Sequence, residues 1–144
     1  MKTLLFDFSN VLLFAKDTVE FSGGTKIDPI FVLNQPLLDY ISNLELKRAI
    51  FTATTKIYDP AIKAHLTPVF HQFFTTEEIG LDKTSPAAYL SVIEKLKADP
   101  AEVMFIDDSP INVASACQAG LSAQTYQNNQ QIIELINEWV GQEN

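Results

Sequence analysis

Three aspartates stand where apolar runs end. Asp7 follows Leu4-Leu5-Phe6, and the pair Asp107-Asp108 follows Val103-Met104-Phe105-Ile106. Carboxylates are hard oxygen donors, so two such clusters side by side form a site suited to Mg²⁺. Their mutual repulsion in a partly buried setting calls for a cation, and Lys83 supplies a second positive charge. A carboxylate held in this way is also a nucleophile, because a metal neutralises both it and an incoming phosphate. Thr52, at the end of Ala49-Ile50-Phe51, brings a hydroxyl to the same kind of position. Taken singly, each residue has an ordinary role: a strand-end Asp is commonly a turn or cap residue, and Asp108-Ser109-Pro110 has the composition of a helix start. Their chemistry depends on the elements that bring them together.

Leu4 to Phe8 predicts a strand buried on both faces, with Asp7 at its tip. Val11-Leu12-Leu13-Phe14 and Thr18-Val19-Glu20-Phe21, followed by Ser22-Gly23-Gly24, predict a two-stranded flap within an insertion over 11–30. Asn34 caps a helix with Leu37, Leu38, Ile41 and Leu44 on one face. Arg48 to Thr52 reads as a second core strand, Asp59-Pro60 as the start of a second helix, and Phe70 to Thr75 as a third strand. Ser85-Pro86 opens a helix bearing Tyr89, Ile93 and Leu96. Val103 to Ile106 is a fourth strand, and Ser109-Pro110 starts a helix closed by Gly120. Leu121 to Tyr126 is a fifth strand, and a last helix turns Ile132, Ile133, Ile136, Trp139 and Val140 inward.

This alternation predicts right-handed crossovers and an α/β, doubly wound, Rossmann-like three-layer sandwich with a five-stranded, mainly parallel sheet. Ligands of such sheets bind beyond the carboxyl ends of the strands, where Asp7, Thr52 and Asp107-Asp108 all fall. The 144 residues suit a single domain over 1–144, and 47 % hydrophobic with 19 % charged residues is an ordinary globular composition.

A net charge of −8 opposes binding to phosphate backbones, so no nucleic-acid partner is expected. The short apolar run before Asp7 is neither a signal-peptide core nor a membrane span, which makes a cytoplasmic location and no membrane partner the expectation. Cys117 reads as a small buried hydrophobe. His65 and His71 lack ligand spacing, and Phe14, Phe21 and Phe31 read as packing beneath the flap.

The order of these motifs resembles the haloacid dehalogenase superfamily over nearly the whole chain. Phe6-Asp7-Phe8-Ser9-Asn10-Val11-Leu12 is similar to the family's first motif at its first Asp and hydrophobic tail. Ile50-Phe51-Thr52 resembles the second, and Lys83 in Leu81-Asp82-Lys83-Thr84-Ser85-Pro86 matches the lysine of the third. Phe105-Ile106-Asp107-Asp108-Ser109-Pro110-Ile111-Asn112-Val113, followed by Ala116 and Gly120, resembles the fourth. The resemblance implies Asp7 as nucleophile and metal ligand, the backbone carbonyl of Ser9 as a second ligand, and Asp108 as the more direct ligand of the pair, with Asp107 binding through water or orienting its neighbour. It further implies Thr52 as a hydrogen-bond donor to a phosphate oxygen, Lys83 as the tether between that phosphate and Asp7, and Asn112 as an outer-shell partner. Mg²⁺ is the implied cofactor.

The sequence departs from the pattern at three points. Ser9 occupies the position where phosphatases of the family carry a second Asp that protonates the leaving alcohol, and losing such a group removes about 10²–10⁴ in rate. Dehalogenases and phosphonate hydrolases of the superfamily also have a non-acidic residue there. Ala53 follows Thr52 where many relatives have Asn. The interval from Asp7 to Thr52 is too short to hold the flap, the first helix and a large cap, so a small flap replaces the cap, and a second copy of the chain is a candidate cover. The expected function is a Mg²⁺-dependent phosphatase acting through an aspartyl-phosphate on Asp7, on a phosphorylated small molecule or macromolecule. The alternative is a catalytically impaired binding module.

Overall fold

Thr3–Phe6, buried at every position, forms β1, the middle strand of the computed structural model, which describes residues 1–16, 24–28 and 30–142. In chain order there follow β2 (Leu13–Ala15), β3 (Thr25–Lys26), β4 (Phe31–Leu33), α1 (Gln35–Ser42), β5 (Lys47–Thr52), α2 (Pro60–Leu66), β6 (Gln72–Thr75), α3 (Thr76–Ile79), α4 (Pro86–Leu96), β7 (Val103–Asp107), α5 (Pro110–Gln118), β8 (Ser122–Thr125) and α6 (Asn129–Gly141). The main sheet has the order β6-β5-β1-β7-β8, and every neighbouring pair in it is parallel.

Strand alternation sorts the core into two layers. Leu4, Phe6, Ile50, Met104 and Ile106 pack on one face with residues of α1, α2 and α6, including Leu38, Leu66 and Ile136. Leu5, Ala49, Phe51, Val103 and Phe105 pack on the other with Tyr89, Val92 and Leu96 of α4 and Ala116 of α5. A Rossmann-like α/β sandwich is the result.

Local chemistry starts the helices. Asn34, Asp59, Ser109 and Asn128 each accept a backbone N–H of the first turn that follows, which satisfies donors the helix itself leaves open. Ser85 precedes α4 without such a bond, and Pro86 alone marks that start. Gly120 closes the turn after α5 at φ 96°, a left-handed conformation that glycine adopts without penalty.

The insertion after β1 differs from the expected hairpin. Thr18 to Phe21 lies outside the described residues. Among the described ones, β2 pairs antiparallel with β4, and β3 pairs with the other edge of β4. At the entry to β4 the Asp28 carboxylate accepts the N–H groups of Ile30 at 2.7 Å and Phe31 at 2.8 Å. Val11 and Leu12 belong to a tight turn instead of a strand, with the Leu12 and Leu13 N–H groups both donating to the Phe8 carbonyl at 2.9 and 3.0 Å.

Two burial expectations are corrected. Cys117 is exposed, because α5 buries Ser115 and Ala116 and the next residue faces away. Val140 is exposed as well, since the buried stripe of α6 runs through Ile132, Ile136 and Trp139. The short helix α3 adds to the elements that the sequence pattern predicts. Thr75 accepts the Glu78 N–H at 3.2 Å and donates to the Glu78 carboxylate at 3.0 Å, a reciprocal cap whose sequence signal is the Thr-x-x-Glu spacing. No helix among the described residues is long and apolar enough to cross a membrane.

Candidate functional site

Parallel register sets the site. Phe6 pairs with Ile106 on one side and Ile50 on the other, so Asp7 comes level with Asp107, and Thr52 ends the flanking strand. The Asp7 N–H prolongs the β1–β7 ladder by donating to the Ile106 carbonyl at 2.8 Å. Strand order reverses at β1, and the crevice of a doubly wound sheet opens at that point. A cleft of about 400 Å³ there is lined by Asp7, Ser9, Thr52, Lys83, Asp107 and Asp108, with Asn112 at its side.

Lys83 comes from the loop between α3 and α4. Its Nζ donates to Asp7 Oδ1 at 2.5 Å and to Asp107 Oδ2 at 3.3 Å, and it lies 5.5 Å from the ring centroids of Phe51 and Phe105. An ammonium only 5 % exposed is tolerated here because two carboxylates face it, and removing one member of such a group costs more than the set contributes. The loop is pinned from below, where the Tyr89 hydroxyl donates to the Lys83 carbonyl at 2.7 Å and the Ser115 hydroxyl to the Thr84 carbonyl at 2.9 Å.

Asp107 has the side-chain parity of Val103 and Phe105 along β7, so it points to the α4 side, where Lys83 enters. Its Oδ1 accepts the Ser109 N–H at 3.0 Å, and its Oδ2 accepts Asn112 Nδ2 at 3.1 Å besides Lys83. Burial works to raise this carboxyl, but Lys83 and the Ser109 and Asn112 hydrogen bonds outweigh it, and its pKa lies below the ordinary range. For Asp7 the balance is the reverse. Burial, opposed by Lys83 and reinforced by the Asp107 charge, lifts its pKa from 3.8 to about 7. Asp108, exposed at the mouth, is raised by partial desolvation and then by its neighbour Asp107.

One carboxylate oxygen from each of Asp7, Asp107 and Asp108 lies within 4.8 Å of the others. Three hard donors at that separation against a single ammonium leave a negative surplus, and the donor set fits a small divalent cation such as Mg²⁺. Ser9 lies half-buried at an isolated bridge to Leu13, within the turn that follows Asp7. Next to it Asn10, also lining the cleft, adopts φ 63°, a left-handed conformation that Asn tolerates better than most residues. Thr52, 1 % exposed, accepts the Thr54 N–H at 3.2 Å, which leaves its hydroxyl proton available to a ligand. Its neighbour Ala53 is exposed on the rim.

The residues singled out from the sequence therefore share one cleft. Tyr89 and the rings of Phe51 and Phe105, which the sequence presents only as core, also belong to the surroundings of Lys83. A buried tyrosine hydroxyl needs a partner, which was the available signal for Tyr89, whereas the two rings beneath Lys83 follow only from strand register. The histidines lie elsewhere: His65 is exposed on α2, and the His71 ring meets the backbone of Arg48 at the amino-terminal end of β5.

A family profile described as haloacid dehalogenase-like hydrolase matches residues 33–120. Enolase-phosphatase E1 of Drosophila sechellia is 33 % identical over 67 residues, 46 % of this chain and 25 % of that protein, so the chain spans about a quarter of that curated relative's length. Among solved structures, an uncharacterized protein from Corynebacterium glutamicum superposes with a TM-score of 0.72 at 19 % identity, covering 100 % of this chain and 98 % of the other. A wild-type HAD family enzyme from Bacteroides thetaiotaomicron, in complex with magnesium and inorganic phosphate, superposes with a TM-score of 0.70 at 16 % identity over 92 % of this chain and 98 % of its own. At such identities the two structures speak for the fold.

Proposed function

We propose that this chain, which belongs to the haloacid dehalogenase-like hydrolase family, is a Mg²⁺-dependent phosphatase that carries the phosphoryl group on Asp7. The observation that carries this reading is the position of the Asp7 carboxylate, 2.5 Å from Lys83 Nζ and beside Asp107 and Asp108 in an accessible cleft. The phosphatase among its relatives and the magnesium and phosphate bound by the Bacteroides enzyme support it.

In this reading an Asp7 oxygen forms a bond to phosphorus as the bond from phosphorus to the leaving oxygen breaks. Lys83 and the Thr52 hydroxyl donate to the phosphoryl oxygens, preorganised charge of the kind that lowers such barriers. Water then attacks phosphorus, releasing inorganic phosphate and restoring the carboxylate. Asp7, Asp107, Asp108 and the Ser9 carbonyl would hold Mg²⁺, whose charge neutralises the carboxylates and the incoming phosphate. The substrate is a phosphorylated small molecule or macromolecule, and a second copy of the chain is the proposed cover for the cleft.

Turnover of an activated aryl phosphate with Mg²⁺ tests the reading. Wild type should turn over and Asp7→Asn should not, while Ser9→Asp should gain, most of all on an alkyl phosphate. Ser9 also favours a second reading, a phosphate-binding module without turnover. That reading prevails if wild type does not exceed Asp7→Asn and Ser9→Asp gains nothing.

A further inference from the structure

The protonation needs of the cleft narrow the substrate class beyond a phosphate ester, on the premise that Asp7 is phosphorylated as proposed. An ester releases an alkoxide, which must be given a proton as it leaves, whereas a mixed anhydride of phosphate and a carboxylic acid releases a carboxylate that is stable without one. Among the described residues of the cleft, each ionisable group is either paired or, in the proposed function, given to the cation. Asp107, 1 % exposed, has Oδ1 on the Ser109 N–H and Oδ2 on both Lys83 and Asn112. Lys83 is held between two carboxylates away from solvent. Asp108 completes the trio of oxygens that suits a cation. Ser9, in the turn beside Asp7, has a hydroxyl that does not titrate near neutral pH, and neither histidine lines the cleft.

We infer that the substrates are acyl phosphates, and that the phosphoryl group persists on Asp7 after the carboxylate has left. In the transfer an Asp7 oxygen bonds to phosphorus, the phosphorus–oxygen bond to the acyl group breaks, and the electron pair leaves with the carboxylate, so no proton moves. One carboxylic–phosphoric anhydride replaces another, which makes the exchange nearly balanced and reversible. Discharge to water is the slow step, because attacking water must lose a proton and no uncommitted base among the described residues faces it.

The test uses the full chain with Mg²⁺ and three donors: acetyl phosphate, an aryl phosphate and glycerol phosphate. Intact-mass measurement after acid quench follows the phosphoryl group, and peptide mapping places it. Acetyl phosphate should label the peptide containing Asp7 to near one equivalent and the label should decay slowly. Glycerol phosphate should label at least about 10²-fold more slowly, and Ser9→Asp should speed decay by about 10² or more. The aryl phosphate should release a burst of one equivalent before slow turnover. Peptide mapping of wild type keeps the assignment independent of whether Asp7→Asn folds. Labelling from glycerol phosphate as fast as from acetyl phosphate, or decay as fast as labelling, overturns the inference. Steady aryl phosphate turnover without any labelled intermediate overturns it too and leaves the phosphatase reading standing, whereas no label and no turnover from any donor removes both.

Discussion

Lys83 and Asp7, 76 positions apart in sequence, meet through a 2.5 Å contact between Nζ and Oδ1 at the carboxyl end of the central strand. The same ammonium reaches Asp107 at 3.3 Å, so a single cation mediates between two buried carboxylates of unlike character. Asp107 is held ionised by the Lys83 charge and by its hydrogen bonds, and Asp7 is left near the midpoint of its titration at neutral pH.

That contrast predicts how metal-free stability depends on pH. The Asp7 pKa is raised in the folded state from 3.8 to about 7, so its contribution is complete below 3.8 and is lost as pH rises through 7. Asp107 has the opposite sign, since its lowered pKa adds stability above its ordinary value that is lost in acid. Urea unfolding between pH 5 and 8 should therefore show wild type losing on the order of a few kcal/mol relative to Asp7→Asn. Parallel profiles would refute the buried, proton-holding Asp7.

The same shift predicts proton release when Mg²⁺ binds. Near pH 6 Asp7 is largely protonated, and a cation that needs its carboxylate must displace that proton; at pH 8 there is little left to displace. Calorimetry in two buffers of different ionisation enthalpy should find close to one proton released at pH 6 and a falling number towards pH 8. Asp108→Asn should weaken binding at both. Binding that is independent of pH would argue that Asp7 is not a ligand.

Replacing Lys83 isolates the cost of facing carboxylates. In metal-free protein at pH 8, Lys83→Met should destabilise by about 3–5 kcal/mol, because two buried carboxylates lose their counter-charge. Saturating Mg²⁺ should recover part of that loss. Denaturation with and without the metal gives the comparison, and an identical loss in both conditions would mean that the cation does not share the Lys83 environment.

Tyr89 offers a test from below the site. Tyr89→Phe keeps the ring that packs edge-on with Phe51 and Phe105 and removes only the hydroxyl that satisfies the Lys83 carbonyl. A buried carbonyl left without a donor costs about 1–3 kcal/mol. Thermal unfolding unchanged from wild type would show that the hydrogen bond does not hold the Lys83 loop.

Much of this arrangement is written locally in the chain. Uninterrupted apolar runs ending in Asp7, Thr52 and Asp107 make buried parallel strands with polar tips. Asn34, Asp59 and Ser109 announce helix starts because capping involves only a few consecutive residues. The family motifs and the helix–strand alternation were legible for the same reason. What the chain could not display was the lateral order β6-β5-β1-β7-β8, which sets Asp7 beside Asp107 and puts Lys83 over Phe51 and Phe105. Nor did periodicity reveal that Phe31–Leu33 would serve as the middle strand of the small sheet, or that Cys117 would face outward from α5. Sequence pattern fixes each segment's conformation through neighbours a few residues away, but adjacency, register and the choice of buried face are settled by packing between segments distant in sequence, and the meeting of Asp7, Lys83 and Asp107 is decided there.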